Sequence, residues 1–402
     1  MNVRAMPLLL ALFVLIGGCS TEPETVEPLP YNVLHTIEQA PRNFVIDFES
    51  DRLYRENSSS IAMDLYEFDS DLGYGKSNHR FNHPEVEGWP SDYGIKLATL
   101  VRSGEKLLTF SSFGLVFIWD TETKELDGIF KTNHDSENRN HHGLQDYAIS
   151  PDNAHVATAL GNENGLQIWN IDTLDNILTI SATDQSEKYF SRFDTVSFSP
   201  NGEIIAAMQN NNTLGLWDLK SGKNIHTLGE INWDFSDAER SLQFSPDGKF
   251  ILASQSGNLN VWNIKTGELA SSIDMSNVIR AAVNSDWTKI VAAGAESDAP
   301  RQISIYDLKT GNSILRLPVN SPGKGELGGF SEVDYLGFSP NGDYIVSSID
   351  GILQFWNVET ATLAYTGPKV FSDIYFNANG SEMGIGNRDA RRIEIYDLIS
   401  TK

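Results

Sequence analysis

One short turn motif recurs along this chain and constrains its fold more than any other feature. Three near-identical strings lie at Phe198–Gly202 (FSPNG), Phe244–Gly248 (FSPDG) and Phe338–Gly342 (FSPNG), each after an alternating apolar segment. A Pro-Asx-Gly turn after such alternation is typical of a β-hairpin. Five related strings recur at similar spacing along the chain: Phe48–Arg52, Leu100–Gly104, Ile149–Asn153, Val283–Trp287 and Phe376–Gly380.

A second landmark follows each of the eight turns by 16 to 21 residues, counted from the position that proline occupies in the turn. It is an aromatic residue followed by an acidic residue or an asparagine. Together the two landmarks indicate four antiparallel strands in roughly 46 residues, the unit of a propeller blade. The eight aromatic residues are Tyr66, Trp119, Trp169, Trp217, Trp262, Tyr306, Trp356 and Tyr396.

These turns resemble those of the WD-repeat β-propeller family over essentially all of residues 31–402. The resemblance implies an all-β fold of four-stranded blades. The Gly-His dipeptide that the family places before the first strand is missing from nearly every unit, and His141–Gly143 is the nearest approach. Without that histidine the family's buried hydrogen-bond tetrad cannot form in most blades. We therefore expect blades that are held mainly by apolar packing.

Eight units predict an eight-bladed propeller, but the last unit lacks an outer strand. Only residues 399–402 follow Tyr396-Asp-Leu. The segment Val33–Ile37 resembles the outer strand Asn224–Leu228, so we expect an N-terminal strand to complete the last blade and remove an open sheet edge. Seven blades, with residues 38–90 as an insertion, are the alternative. The turn-to-aromatic spacing from Phe48 to Tyr66 favours eight.

The N-terminus predicts a lipid anchor. Arg4 and an apolar run from Leu8 to Ile16 are typical of a secretory signal, because the run is too short to span a bilayer. Ile16-Gly17-Gly18-Cys19 resembles the bacterial lipobox, which implies removal of residues 1–18 and acylation of Cys19. Ser20 in place of Asp points to the outer membrane. Residues 19–30 then form the lipidated Cys and a tether rich in Pro and Glu, and residues 31–402 form the propeller.

Composition restricts the chemistry. The formal charge of −24 argues against nucleic-acid binding, which needs a basic surface, and one cysteine excludes internal disulfides. No phosphate-binding loop, dinucleotide fingerprint or nucleophile elbow has a supporting strand–helix context. A polar loop holds His134, Asp135, His141 and His142, but it lacks a helical His pair, so we interpret it as solvated. We predict no metal and no cofactor, and we assign the eight aromatic residues to the packing between blades.

Two sets of residues are candidates for function. Loops from each outer strand to the next inner strand share one face and are rich in aromatic residues, which indicates a protein-binding face unless the rings fold back over the blades. This candidate face comprises Phe81, Trp89, Tyr93, Tyr189, Phe190, Phe193, Trp233, Phe235 and Phe330. Charged residues at the starts of the inner strands are the second set, and we expect them to ring one mouth of the channel, where ordinary solvation is the simpler interpretation. This candidate channel mouth comprises Lys96, Asp146, Asp194, Arg240, Arg280, Asp334 and Asp373.

The sequence thus predicts a non-catalytic scaffold on the periplasmic face of the bacterial outer membrane. Its expected contacts are the membrane, through the lipid anchor, and another envelope protein. An envelope hydrolase or lyase with its active site at the channel mouth is the alternative, since propellers also host enzymes. An enzyme needs two or more mouth residues within hydrogen-bond reach and with perturbed pKa values, whereas a scaffold needs only an exposed patch.

Overall fold

The protein is built from β-strands. The computed structural model describes residues 31–38, 44–47, 52–56, 62–69, 74–87, 94–132, 142–161, 165–181, 192–211, 213–229, 241–255, 257–295, 302–318, 333–377, 379–387 and 392–398. Within these ranges, no helix has the length and hydropathy needed to cross a bilayer.

The first strand along the chain, β1 (Tyr31–Glu38), belongs to the last blade, and seven complete blades follow it. Each consists of four sequential antiparallel strands, from an inner strand to an outer one. Blade 1 contains β2 (Phe44–Asp47), β3 (Arg52–Glu56), β4 (Ala62–Asp69) and β5 (Tyr74–Asn82). Blade 2 contains β6 (Ile95–Val101), β7 (Lys106–Ser111), β8 (Leu115–Asp120) and β9 (Leu126–Lys131). Blade 3 contains β10 (His142–Ile149), β11 (His155–Gly161), β12 (Leu166–Asn170) and β13 (Asn176–Ile180). Blade 4 contains β14 (Phe193–Phe198), β15 (Ile204–Gln209), β16 (Leu214–Asp218) and β17 (Asn224–Leu228).

The second half of the chain repeats the pattern, with one long strand shared between the last two blades. Blade 5 contains β18 (Leu242–Phe244), β19 (Phe250–Gln255), β20 (Asn258–Asn263) and β21 (Leu269–Asp274). Blade 6 contains β22 (Ser276–Val283), β23 (Lys289–Ala295), β24 (Gln302–Asp307) and β25 (Ser313–Arg316). Blade 7 contains β26 (Val333–Phe338), β27 (Tyr344–Ile349), β28 (Ile352–Asn357) and the first part of β29 (Leu363–Phe376). Blade 8 contains the second part of β29, then β30 (Glu382–Asn387), β31 (Arg392–Leu398) and β1.

The N-terminal strand closes the last blade, as predicted. β1 pairs antiparallel with β31, from Tyr31 opposite Leu398 to Glu38 opposite Arg392. A register shift separates Val33 from His35. The two termini of the propeller therefore meet in one sheet, and β31 has no open edge.

Eight apolar clusters join the blades into a ring. Each cluster contains buried residues of two consecutive blades. The cluster that joins blade 8 to blade 1 packs Ile393 and Ile395 against Phe44, Ile46 and Leu53. Residues 44–82 therefore form a blade with its own packing partners, and they are not an insertion in a seven-bladed ring.

The landmark aromatic residues fill the gaps between blades, as predicted. One of them belongs to each cluster and packs toward the preceding blade. Trp356 is 2% exposed and Trp119 is 4% exposed, whereas Trp262 is only partly buried. Their once-per-blade spacing reflects packing, because no two of them share a cluster.

The recurrent turn is stabilised by its own side chains. In blade 4 the Ser199 hydroxyl donates to Asn201 Oδ1 at 2.7 Å, and the amide of Gly202 donates to the Ser199 carbonyl at 2.8 Å. Gly202 has a φ of +71°, which a residue with a Cβ adopts only at a cost. The Ser-Pro-Asx-Gly string therefore recurs because each part closes the same tight turn.

Candidate functional site

The antiparallel blades give the ring two chemically different ends. Connections from the inner to the second strand, and from the third to the outer strand, lie at one end, which we call the turn end. The remaining connections, including those between blades, lie at the opposite end, the loop end. β1 begins at Tyr31, opposite Leu398, so the chain enters the propeller at the turn end.

Two members of the predicted aromatic face are core residues. Phe81 lies in β5, is 0% exposed, and contacts Trp119 edge-on with ring centroids 5.4 Å apart. Phe193 lies in β14, is also 0% exposed, and meets Trp217 at 5.7 Å. These two rings are therefore not part of an exposed face and follow the alternative in which the rings cover the blades, because the outer and inner strands of neighbouring blades pack over them. The other members lie outside the described residues: Trp89, Tyr93, Tyr189, Phe190, Trp233, Phe235 and Phe330.

The structure contains a buried polar triad that the sequence analysis missed. His83 Nε2 lies 2.7 Å from Thr109 Oγ1, and Trp119 Nε1 donates to the same hydroxyl at 3.2 Å. His83 also packs edge-on against Trp119 at 5.1 Å. This histidine precedes blade 2, where the family's tetrad histidine is expected, but Pro84 follows it and no Gly precedes it. His134 and His141 lie outside the described residues.

Lys96 connects blades 2 and 3. Its Nζ donates to the carbonyl of Leu144 at 2.5 Å, from the inner strand β6 to the inner strand β10. Desolvation around the ammonium lowers the pKa of Lys96, and the charge of nearby Asp146 opposes that shift. The Lys96 ammonium is therefore partly desolvated, and its hydrogen bond to Leu144 connects the two blades.

Asp146 connects blades 3 and 4 in the same way. One carboxylate oxygen accepts from the Thr195 hydroxyl at 2.6 Å and from the amide of Val196 at 3.0 Å. The other accepts from the amide of Tyr147 at 2.8 Å. Burial raises the pKa of Asp146, although these three donors and Lys96 act against the shift. The donors make Asp146 a bridge between two inner strands.

The remaining mouth residues have similar local partners. Arg280 Nε donates to the carbonyl of Val333 at 2.7 Å, which joins blades 6 and 7. Asp194 is paired with Arg192 at 2.7 Å, and Asp334 accepts from the Ser348 hydroxyl at 3.3 Å. Arg240 lies outside the described residues. Asp373 lies in β29, but its side chain is outside the description.

Three of the charged inner-strand residues therefore connect neighbouring blades, whereas Asp194 and Asp334 bond within their own blade. Lys96, Asp146 and Arg280 each bond to the inner strand of the next blade. Lys96 and Asp146 are close enough for each charge to affect the pKa of the other, but each bonds to a different blade. Catalysis would need at least two such groups to converge on one reacting atom. Among the residues that the structure describes, no three His, Cys, Asp or Glu side chains form a group that could hold a metal ion.

Two further charged groups are buried at the same position of their blades, two residues before the landmark aromatic. Asp64 accepts from Arg80 Nε at 2.6 Å, and its side chain is 4% exposed. Glu394 accepts from Arg392 Nε and from Asn387 Nδ2, at 2.7 and 2.8 Å. Each buried carboxylate has a cation from the same sheet, so both pairs are structural. Charged residues at alternate positions of these strands are the sequence pattern that could have predicted the two ion pairs.

Comparison with known proteins agrees with this geometry. Residues 234–263 and 325–357 match the profile of the family described as WD domain, G-beta repeat. The fold is similar to that of the C-terminal WD40 domain of Sif2, with a TM-score of 0.66 and 11% sequence identity over 91% of this chain and 99% of that domain. No curated protein sequence matches the chain significantly.

The chain is therefore an all-β propeller of the WD40 architecture. Two of its segments carry recognisable WD repeats, in blades 5 and 7. At 11% identity the structural similarity establishes the fold and leaves the activity to be argued from this chain's own residues.

Proposed function

We propose that this protein is a non-catalytic interaction scaffold, anchored by a lipid on Cys19 to the periplasmic face of a bacterial outer membrane. Its partner would be another envelope protein, bound at the loop end. The observation that carries the proposal is the use of the charged inner-strand residues as bridges between blades, for example Asp146 to Thr195. A ring built in this way offers a stable platform rather than a convergent catalytic group.

The loop end is the better candidate for the binding face. The turn end consists of short turns whose polar side chains bond to their own backbone, as Asp218 and Asn263 do. Several connections between blades at the loop end are longer, and two of them contain Trp89 and Trp233, which lie outside the landmark pattern. Tryptophan residues are enriched among those that dominate interface energy. With Phe81 and Phe193 in the core, these two residues are the main test of the proposal.

The test replaces Trp89 and Trp233 together by Ala in the full chain. Truncation of an interface aromatic commonly costs about 2 kcal/mol or more, so two such losses weaken binding on the order of a thousandfold if they are additive. A pull-down from solubilised envelopes and a thermal melt are made on the same variant. Trp287→Ala, at the turn end, is the control and should keep the partner.

The outcomes are distinct. Loss of the partner with an unchanged melt supports the scaffold and its loop-end face. Full recovery of the partner with an unchanged melt removes that face from the proposal. A lowered melt for the double variant would show that the two rings cover the blades, as Phe81 and Phe193 do.

A further inference from the structure

Exposed apolar side chains form a row on the outer wall of the ring. Within the part of the chain that the structure describes, the large apolar residues that are exposed lie on the outer strands of four consecutive blades, β13, β17, β21 and β25. They are Ile177, Ile225, Leu269 and Ile314, with 39 to 50% of each exposed. Single exposed apolar residues are normal, but here one recurs at nearly the same level on each of four adjacent blades.

The fold does not require apolar residues at this level. Ile177, Ile225 and Ile314 each follow the landmark aromatic of their blade by eight residues. The same position holds Asp127 in blade 2 and Ala364 in blade 7. Both of those blades have complete four-stranded sheets, so the isoleucines of blades 3, 4 and 6 are not a packing need.

The row lies at the turn end of the ring. Each of its residues is the first or second residue of its outer strand, immediately after the turn from the third strand. Tyr31 begins β1 at the same end, and eleven residues separate it from Cys19. Extended at about 3.1 Å per residue, that segment spans about 34 Å. The row and the point where the chain leads to the anchor therefore share one end, on opposite sides of the eight-membered ring.

The charge around the row differs from that of the rest of the protein. The turns and outer strands of blades 4 to 6 (residues 218–228, 263–274 and 307–316) carry five cations against four anions. The cations are Lys220, Lys223, Lys265, Lys309 and Arg316. The corresponding segments of blades 2, 3 and 7 (residues 120–131, 170–180 and 357–366) carry two cations against seven anions. In a chain of net charge −24, Ile225, Leu269 and Ile314 thus lie in a part of this rim that is not acidic, whereas Ile177 lies in blade 3 with Asp172 and Asp175.

We propose that the rim of blades 4 to 6, formed by Ile225, Leu269, Ile314 and the five cations, is a membrane-contact surface. Aliphatic side chains next to lysines suit the boundary between acyl chains and anionic headgroups, where the lysine stems lie along the apolar layer. The inference rests on the proposed anchor, which would hold the rim near lipid and raise its effective concentration there. The acidic blades 2, 3 and 7 would stand farther from the headgroups, and the tether is long enough to allow this tilt.

The experiment places a probe at each end of the full lipidated chain. Cys19 is the only cysteine and is consumed by acylation, so an introduced cysteine is the only thiol that can be labelled. Ile225→Cys reports on the rim, and the exposed Ser112→Cys reports on the loop end. Each is labelled with a fluorophore in vesicles of phosphatidylethanolamine and phosphatidylglycerol that carry a nitroxide headgroup quencher.

We expect several-fold stronger quenching at Ile225→Cys than at Ser112→Cys. Adding Ile314→Ser and Leu269→Ser should bring the quenching at Ile225→Cys down toward that at Ser112→Cys. Equal quenching at the two positions in the parent chain would overturn the proposal. Shielding of Ile225→Cys that persists in detergent, together with cross-links between copies, would also overturn it, because the rim would then be an interface between copies.

Separate measurements distinguish an error in the proposed lipid anchor from an error in the proposed membrane contact of the rim. Mass spectrometry of the N-terminal peptide reports acylation of Cys19 independently of the probes. If Cys19 is not acylated, the chain is mixed with the same vesicles without an anchor, and quenching is compared again. Preferential quenching at Ile225→Cys then still supports the rim, and its absence overturns it.

Discussion

At the scale of single residues, a hydroxyl at one position on the second strand holds the landmark aromatic in blades 2 and 7. In blade 2 the Thr109 hydroxyl bonds to both His83 and Trp119, and in blade 7 the Ser347 hydroxyl accepts from Trp356 Nε1 at 3.2 Å. Thr158 fills the position in blade 3 and Ala207 in blade 4. Apolar packing is therefore common to every junction, and polar contacts add to it in some.

Thr109→Val should destabilise the fold by about 1–3 kcal/mol, because it leaves His83 and Trp119 with buried polar atoms that lose their partner. Thr158→Val is the matched control, since that hydroxyl makes only a long bond of 3.4 Å to the Gln167 carbonyl. Chemical denaturation of both variants measures the difference. Equal losses would show that the triad adds nothing beyond a buried hydroxyl.

The turn carboxylates should make stability fall in acid. Lys249 and the neighbouring amide lower the pKa of Asp247 to about 2, and the Ser221 hydroxyl and amide lower the pKa of Asp218. Because these values lie below those of the unfolded chain, the stabilisation is present above about pH 4 and is lost as the pH falls toward 2.

Asp247→Asn should reduce that acid sensitivity. Asn201 and Asn341 already fill the same turn position in blades 4 and 7, so the turn geometry is kept. Near pH 7 the change should be small, because the Lys249 pair is exposed. Urea midpoints at pH 7 and pH 3 measure the effect. An undiminished difference between the two pH values would mean that other groups control the acid response.

At the scale of elements, the single strand β1 completes the last blade and so closes the ring. It covers the edge of β31 over Tyr31–Glu38, and a single parallel pairing of Thr36 with Tyr74 links it to the outer strand of blade 1. A propeller blade that ends in an open edge loses both hydrogen bonds and the cover over its apolar face.

Removal of residues 31–37 should therefore lower the melting temperature far more than removal of residues 20–30, which precede the first strand. Both truncations are made in the chain without lipid, so that only the pairing differs. Thermal melts decide between them. Identical melting temperatures would contradict a stabilising role for the pairing of β1 with β31.

At the scale of the whole molecule, closure of the ring separates two ends for which we propose different tasks. The chain enters at the turn end, and the inter-blade loops leave at the other end. A protein held by its turn end presents its loop end to partners in the surrounding space. This arrangement is consistent with the proposed anchor and the proposed binding face acting together.

Cys19→Ser should release the protein from membranes or block its processing, because Cys19 is the only site for acylation. Fractionation of envelopes with an antibody against the chain measures the shift to the soluble fraction. A conservative change next to it, Ser20→Thr, is the control and should remain membrane-bound. Unchanged fractionation of Cys19→Ser would contradict the lipid anchor.

The sequence alone determined the strand order, the blade unit and the closure by an N-terminal strand. These features are local, because Ser-Pro-Asx-Gly turns and aromatic-Asx pairs mark hairpins whatever surrounds them. The assignment of the eight aromatic residues to packing also followed from spacing alone. The core clusters confirm it, with one such residue between each pair of blades.

Which polar and aromatic residues are buried depends on how the blades pack together. In the sequence, nothing distinguishes Phe81 and His83 from the exposed residues beside them. Their burial is set by residues of the neighbouring blade that lie 26 or more positions further along the chain. Likewise Lys96 and Asp146 could not be told from solvated charges until the next inner strand placed Leu144 and Thr195 beside them. Contacts across a ring junction depend on how two sheets pack, and no pattern within one sheet encodes that geometry.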